Sequence, residues 1–476
     1  MNYTKKKVSF PSMGDGKVAF SALFDTVPGL EVFDPPSVNR EIIKLGARYS
    51  PEFVCYPFKI TLGEFIYMNR KYGINTFLQA SDCGPCRFGF YAPVQERILK
   101  DLGNEIEIYP LFQEDLSNAK WLDLYYQLLP FGKKYFNLVD VAYTARMFFL
   151  KCMHLEYIKR VSSLVRCREK YKGDTNRITK FLLDKLRKEK NIIKLCMFKD
   201  LIKSRFRKME IDWDYEPYRV FFTGEIHISL EDFANMDMIR KLGDLGVEVH
   251  LGNTIYDWVK YKAHINPHRT KLANIAKPFI PIDIGGEARW VMGDYITCQK
   301  EHFDGFIYVY PFTCMPENSV RGIIEGQTPD RFFLPVQYFS LDEHSGYEGL
   351  RTRIEAFLDL MQSNREHNPY FQGTYEKPKI LNEIWGHSCK QERDNGNNPF
   401  RNFLINKMSK FYQVTEKFGT DEFYHVFPLY KRILKISALI ISSMIFYDVG
   451  FKDIINYLTM FVRFVITGQL PNLSLS

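Results

Sequence analysis

With 476 residues, 46% of them hydrophobic and 25% charged, the chain is long and apolar enough to bury a large core and too balanced for a disordered or fibrous polymer. Nine cysteines, an odd number scattered over the whole length, argue against a disulfide framework and leave thiols free for metal or catalysis, as in a reducing cytoplasm. The net charge of +8 is local: residues 158–208 hold 18 Lys/Arg against 5 Asp/Glu, which leaves the rest of the chain net acidic.

The opening MNYTKKKVSF has lysines but no apolar h-region, so no secretory signal is expected. VAFSALF (18–24) reads as a strand. Residues 58–72 read as a helix, with Leu62, Phe65, Ile66 and Met68 at helical spacing. INTFLQA (74–80) is a predicted strand and Ala92 to Leu102 a helix, with Pro93 in its first turn. EIEIYPL (105–111) is the next strand. From about 116 to 210 the pattern is mostly helical. Its basic faces are expected to be solvated, or to dock an acidic partner or the phosphates of coenzyme A. Its few aromatics make nucleic acid an unexpected partner.

The strand–helix alternation then resumes. YRVFFTG (218–224) reads as a strand, Asp232 to Leu245 as a helix and VEVHLG (247–252) as a strand. DGFIYVYP (304–311) has the continuous apolar character of a strand buried in a parallel sheet. Pro316 to Glu325 is a predicted helix, RFFLPVQYFS (331–340) a strand and LRTRIEAFLDLM (350–361) an amphipathic helix. SCKQERDNGNNPFRN (388–402) reads as a linker before a helical tail. In that tail ISALIISSMIFY (436–447) has twelve residues, too few to span a bilayer, and is read as a buried helix, with a membrane-surface helix as the alternative. A membrane is therefore not an expected partner.

Alternating strands and helices imply parallel sheets made of βαβ units. The predicted organisation is an α/β domain over 15–115 carrying Cys55 and Cys86, a helical basic segment over 116–210, a second α/β domain over 211–365 carrying Cys314, and a linker with a helical tail over 366–476.

Three cysteines fall beside prolines at predicted helix entrances: Cys55 in VCYPFK, Cys86 in CGPCR and Cys314 in FTCMPEN. A helix N-terminus offers free N–H groups and a partial positive charge, both of which favour the metal-binding thiolate. Cys86 and Cys314 lie past the carboxyl ends of strands, where open parallel sheets gather ligands. Zinc modules and ferredoxin-type clusters bunch their ligands in short loops. Thiols this dispersed need a preformed scaffold, and three of them with an open position fit a [4Fe–4S] cluster. The plainer alternative is that all three are small apolar fillers, which is also the reading for Cys152, Cys167, Cys196, Cys298 and Cys389.

The stretches CYPFKITLGEF, GPCRFGFYAPVQERILKDLG, FTGEIHISLEDFANMDMIRKLGDLGVEV and YPFTCMPENSVRGIIE resemble the 2-hydroxyacyl-CoA dehydratase superfamily, in a branch near the CoA-protein activases. The likeness covers roughly 15–362. It implies two Rossmann-like domains facing across a cleft, with a [4Fe–4S] cluster held by Cys55, Cys86 and Cys314. It also implies a separate ATP-dependent iron–sulfur activator as electron donor, an acyl-CoA substrate and a second dehydratase-like subunit. In a true dehydratase the electron passes to a thioester carbonyl, and the resulting ketyl radical expels the hydroxyl group. Cys83, in DCGPC, departs from that pattern. It is read as a packing thiol or as an extra ligand of a double-cubane cluster, with Cys298 as a further candidate. The resulting expectation is a cytoplasmic lyase or oxidoreductase. A double-cubane reductase of a small substrate and a non-catalytic electron carrier or scaffold are the alternatives.

Two further residues are candidates for chemistry. Glu225, just past strand 218–224, could serve as an acid/base group, and Arg87 could stand beside the cluster or form a structural pair. His227 reads as a satisfied loop histidine.

Overall fold

Parallel strands alternate with helices in both halves of the chain, so the protein is α/β, with small parallel sheets and a predominance of helix. The computed structural model describes residues 6–25, 27, 30–81, 84–111, 138–262, 266–326, 334–368, 375–386 and 439. The predicted linker 388–402 lies outside the described residues, as does the apolar run 436–447 apart from Leu439. Two compact units are present, one of residues 1–188 with 200–389 and the other of residues 189–199 with 390–476. Both sheet systems belong to the first.

In the first half, β1 (Lys6–Val8) pairs with β2 (Leu30–Val32), and β3 (Thr76–Ala80) with β4 (Glu107–Leu111), all in parallel. A bridge at Ser9 joins the pairs: Ser9 N donates to Thr76 O at 3.1 Å, and Leu78 N donates to Ser9 O at 2.9 Å. The run VAFSALF is not a strand. It forms helix α1 (Lys17–Asp25), which buries Val18, Ala19, Ala22, Leu23 and Phe24. A short apolar run with no polar face fits either period. Here a 3-10 turn over Gly14–Gly16, with Met13 and Gly14 at positive φ, delivers the chain straight into helix.

Next come α2 (Arg40–Tyr49), capped by the Asn39 side chain, and α3 (Tyr56–Tyr72), with Pro57 in its first turn and Gly73 at φ 66 closing it. Helix α4 (Tyr91–Asp101) follows a 3-10 turn over Arg87–Phe90. The basic segment is helical as expected, with α5 (Leu138–Val165), α6 (Asp174–Lys188), α7 (Ile192–Cys196) and α8 (Phe198–Phe206). Eleven of the 18 cations over 158–208 are exposed, as expected of solvated faces, while several of the others are paired within the first unit. Arg187 bonds Asp25 and Asp34 at 2.9 and 2.7 Å, Lys159 pairs with Asp15, and Arg168 meets Glu248 at 2.6 Å.

The second half holds four parallel strands in the order β6-β5-β7-β8: β5 (Arg219–Gly224), β6 (Glu248–Leu251), β7 (Gly305–Pro311) and β8 (Val336–Leu341). Every residue of β7 is buried, as its unbroken apolar character implies. Ile307 and Val309 enter a core with Val220, Phe222 and Val249, while Phe306, Tyr308 and Tyr310 enter another with Val291 and Tyr295. The flanking helices are α9 (Ile226–Leu230), α10 (Met238–Asp244), α11 (Ile255–Lys262), α12 (Pro267–Ala276), α13 (Ala288–Lys300), α14 (Met315–Gly326), α15 (Tyr347–His367) and α16 (Lys379–Trp385). The helix expected from Asp232 starts six residues later because Met236 and Asp237 adopt positive φ and break it. Among the described residues no helix is long and apolar enough to cross a membrane.

Candidate functional site

Cys55, Cys86 and Cys314 each end an irregular stretch and open a helical one. Cys55 is the N-cap of α3, Cys86 that of the 3-10 turn before α4, and Cys314 directly precedes α14. The three thiols line one cavity of about 430 Å³ within the first unit. All are free, and Cys55 and Cys314 are buried. Two consecutive glycines help to close the second half of the chain onto this point. Gly285 (φ +84) lies against Pro85 and Cys86, and Gly286 (φ +59) against Pro316, so a Cβ at either would crowd a cysteine loop.

The expected helix-entrance donors are partly realised. The Phe88 N–H lowers Cys86 and the Glu317 N–H lowers Cys314, while the Tyr91 and Thr313 side chains lower Cys55. Those donors favour thiolate, but burial outweighs them. It pushes Cys86 up to about 11, and raises Cys55 and Cys314 as well. The Glu225 and Glu317 carboxyls add to the rise at Cys86 and Cys314.

Glu225 is held by the cap it makes. Its carboxylate accepts from His227 N at 3.1 Å and Ile228 N at 2.8 Å, and burial raises it to about 7. The turn that aims it depends on Gly224, at φ +143, where a Cβ would lie 1.8 Å from Val309 O. Arg87 is exposed and donates to Phe53 O at 3.0 Å; its charge reaches Cys55, but its side chain does not line the cavity. Cys83 lies outside the described residues. Cys298 is not among the cavity-lining residues; it is buried in the core of α13 with Val291 and Tyr295, which removes it as an additional ligand there.

Two cavity residues, Gln79 and Glu317, escaped sequence reasoning, and a third, His227, was read differently. Gln79, near the end of β3, is buried with neither its amide oxygen nor its nitrogen bonded. Its signal was an amide directly after the apolar pair Phe77-Leu78 in INTFLQA. His227 is not satisfied as expected: neither ring nitrogen has a partner, and burial lowers it to about 4. Glu317 is fully buried beside Tyr308 and is raised by burial to about 8. Beyond these polar groups the cavity continues between Phe10, Phe20, Phe24, Leu78, Ile255 and Trp258.

Among the described residues no three His, Cys, Asp or Glu side chains are gathered tightly enough to close on a single metal ion. Comparison of the chain with known protein families matches none, and comparison with curated proteins gives no match either.

Proposed function

We propose that the protein is an iron–sulfur enzyme of the 2-hydroxyacyl-CoA dehydratase type, with two Rossmann-like halves and a cluster held by Cys55, Cys86 and Cys314. One observation carries this reading: three free thiols, remote in sequence and drawn from both sheet systems, line the same cavity. Thiols arranged around a void suit a polynuclear cluster better than one ion, whose ligand sulfurs lie about 2.3 Å from the metal. When bound, such a cluster supplies one-electron chemistry and an open iron position.

The chain's own residues have separable tasks. The Phe88 and Glu317 N–H groups and the Tyr91 hydroxyl orient the sulfurs and tune them by hydrogen bonding. Glu225 and Glu317, with carboxyls near neutrality, stand beside the thiols and can hold a proton released there. The apolar walls exclude water from the reacting region.

Exposed apolar side chains surround the thiol loops. Phe53, Phe90 and Phe312 are 72%, 68% and 60% exposed, and each lies within four residues of one of the cysteines. Such a patch fits a partner surface, and an ATP-dependent iron–sulfur activator is the electron donor that this reading calls for. The cavity favours an enzyme over a carrier, since electron transfer alone needs no ligand space.

Anaerobic purification followed by iron and sulfide analysis tests the proposal. The expected result is about four of each per chain, falling to near zero in Cys55→Ser, Cys86→Ser or Cys314→Ser. A wild-type protein free of iron after anaerobic reconstitution would overturn it; about eight irons would point to a double cluster.

A further inference from the structure

We infer that the acyl group of the substrate is bulky and uncharged, ending in a ring or a branched apolar group, and that a face formed by Phe20, Ile255 and Trp258 selects it. This rests on the dehydratase reading, in which the thioester stands beside the thiols and its acyl side chain enters the cavity ahead of coenzyme A.

The cavity has a rim and an interior. Of its lining residues, Gly84, Pro85, Asp283 and Gly286 are exposed. They lie in the Cys86 loop or in the turn 283–286 packed against it, where a Cβ on Gly285 would sit 3.0 Å from Pro85 Cγ and 3.1 Å from Cys86 N. The lining drawn from β1, α1 and β3 is by contrast buried and apolar, with Phe10, Leu23, Phe24 and Leu78. A ligand that enters past the rim meets the thiol loop first and the apolar wall after it.

Three side chains make a continuous face on that wall. A Cβ on Gly16 would lie 2.5 Å from Ile255 Cδ1 and 3.2 Å from Phe20 Cε2, so a glycine just before α1 lets these two groups meet. Trp258 follows Ile255 by one turn on the same side of α11 and also lines the cavity. The Phe20 ring is 6.3 Å from that of Phe10, which is 5.8 Å from that of Phe24. Phe20 and Trp258 are only half-buried, so ring surface is left for a ligand to cover. Binding gains in proportion to the apolar area removed from water, and a methyl group covers far less of this face than a phenyl ring. The volume of about 430 Å³ suits an acyl group of that size, with coenzyme A itself outside the rim. Charge points the same way. Among the described lining residues Lys262 is the one cation, against Glu225, Asp283, Glu287 and Glu317, so an acyl group carrying a second carboxylate is opposed.

Anaerobic calorimetry on the full-length protein tests this, with no electron donor present, so that nothing turns over, and with iron determined on the same sample. The probes are the coenzyme A thioesters of lactate, 3-phenyllactate and 2-hydroxyglutarate, and the N-acetylcysteamine thioesters of the first two, which carry no phosphate. In both series the phenyllactyl thioester should bind at least tenfold more tightly than the lactyl one, equivalent to about 1.4 kcal/mol. The 2-hydroxyglutaryl thioester should bind no more tightly than the lactyl one. Phe20→Leu and Trp258→Leu should each cut the phenyllactyl-to-lactyl ratio about threefold or more; the wild-type ratios decide the matter if a variant does not fold. Equal affinity for the phenyllactyl and lactyl thioesters, or tighter binding of the 2-hydroxyglutaryl than of the phenyllactyl thioester, would overturn the inference and leave the dehydratase reading in place. An unchanged ratio in both folded variants would remove the proposed face as the selector. A ring preference among the N-acetylcysteamine thioesters, with coenzyme A adding no affinity and no iron in the sample, keeps the apolar face and removes the dehydratase reading. Binding of none of the five would overturn both.

Discussion

Glu64 sits in the middle of α3 with its side chain wholly buried. One carboxyl oxygen accepts from Ser12 N at 3.1 Å and the other has no donor. Burial, reinforced by the nearby Glu231 carboxylate, raises it to about 8. Glu231 is raised too, although it accepts from Gly14 N at 2.7 Å and Ser12 Oγ at 3.0 Å. A carboxyl whose folded pKa exceeds its ordinary 4.5 contributes stability that is complete below that pH and lost as pH climbs through 8. Each tenfold difference in proton affinity between the folded and unfolded chain is worth about 1.4 kcal/mol, so between pH 6 and pH 9 Glu64 should cost the fold about 2–3 kcal/mol. Urea unfolding at the two pH values measures it, and Glu64→Gln, which keeps the shape without the titration, should remove that share of the decline. An equal decline in both proteins would mean that the carboxyl is not raised. The effect bears on the site because Thr61, one turn earlier in α3, lines the cavity and Cys55 caps the same helix.

At the scale of elements, the position of Cys55 depends on how α3 crosses α2. The two backbones touch at glycines: a Cβ on Gly46 would lie 1.7 Å from Lys59 O, and one on Gly63 2.0 Å from Ile42 O. Gly63→Ala must push the helices apart and should cost about 1–3 kcal/mol or more, read as a lower denaturation midpoint. It should also lower iron content, because Cys55 begins the displaced helix; full stability with full iron would show that the crossing is not tight. Much at this scale is legible in sequence. Helix periodicity, Pro57 and Pro93, and the apolar runs of β3, β5 and β7 are local signals, so the entrances at Cys55, Cys86 and Cys314 could be read directly. Helix α1 could not, because burial on most sides erases the period that separates helix from strand. The unpaired state of Gln79 and His227 was equally hidden, since partners are assigned by tertiary packing. So was the balance at the thiols, where local donors are visible in sequence but depth of burial is not.

Across the first unit as a whole, the basic segment acts as an internal strap. Arg168 and Glu248 are both fully buried and 2.6 Å apart. Glu248 also takes the Tyr375 hydroxyl at 2.9 Å and lies 2.6 Å from His250 Nε2, while Arg168 donates to Leu164 O at 2.7 Å. One carboxylate at the start of β6 thus gathers the end of α5, its own strand and the chain after α15. Helix α5 in turn backs α1, with the Phe148 ring 5.8 Å from that of Phe20, a cavity wall, and Arg187 on α6 holds Asp25 at the end of α1. Removing one charge from a buried pair strands the other, so Arg168→Leu should destabilise by about 3–5 kcal/mol. Replacing both partners in Arg168→Leu/Glu248→Leu leaves no orphaned charge and should recover a large part of that loss. Denaturant unfolding of the two single variants and the double variant gives the coupling. If the single and double variants prove equally unstable, Glu248 is not the anchor, and the segment is held to the second sheet by its apolar packing alone.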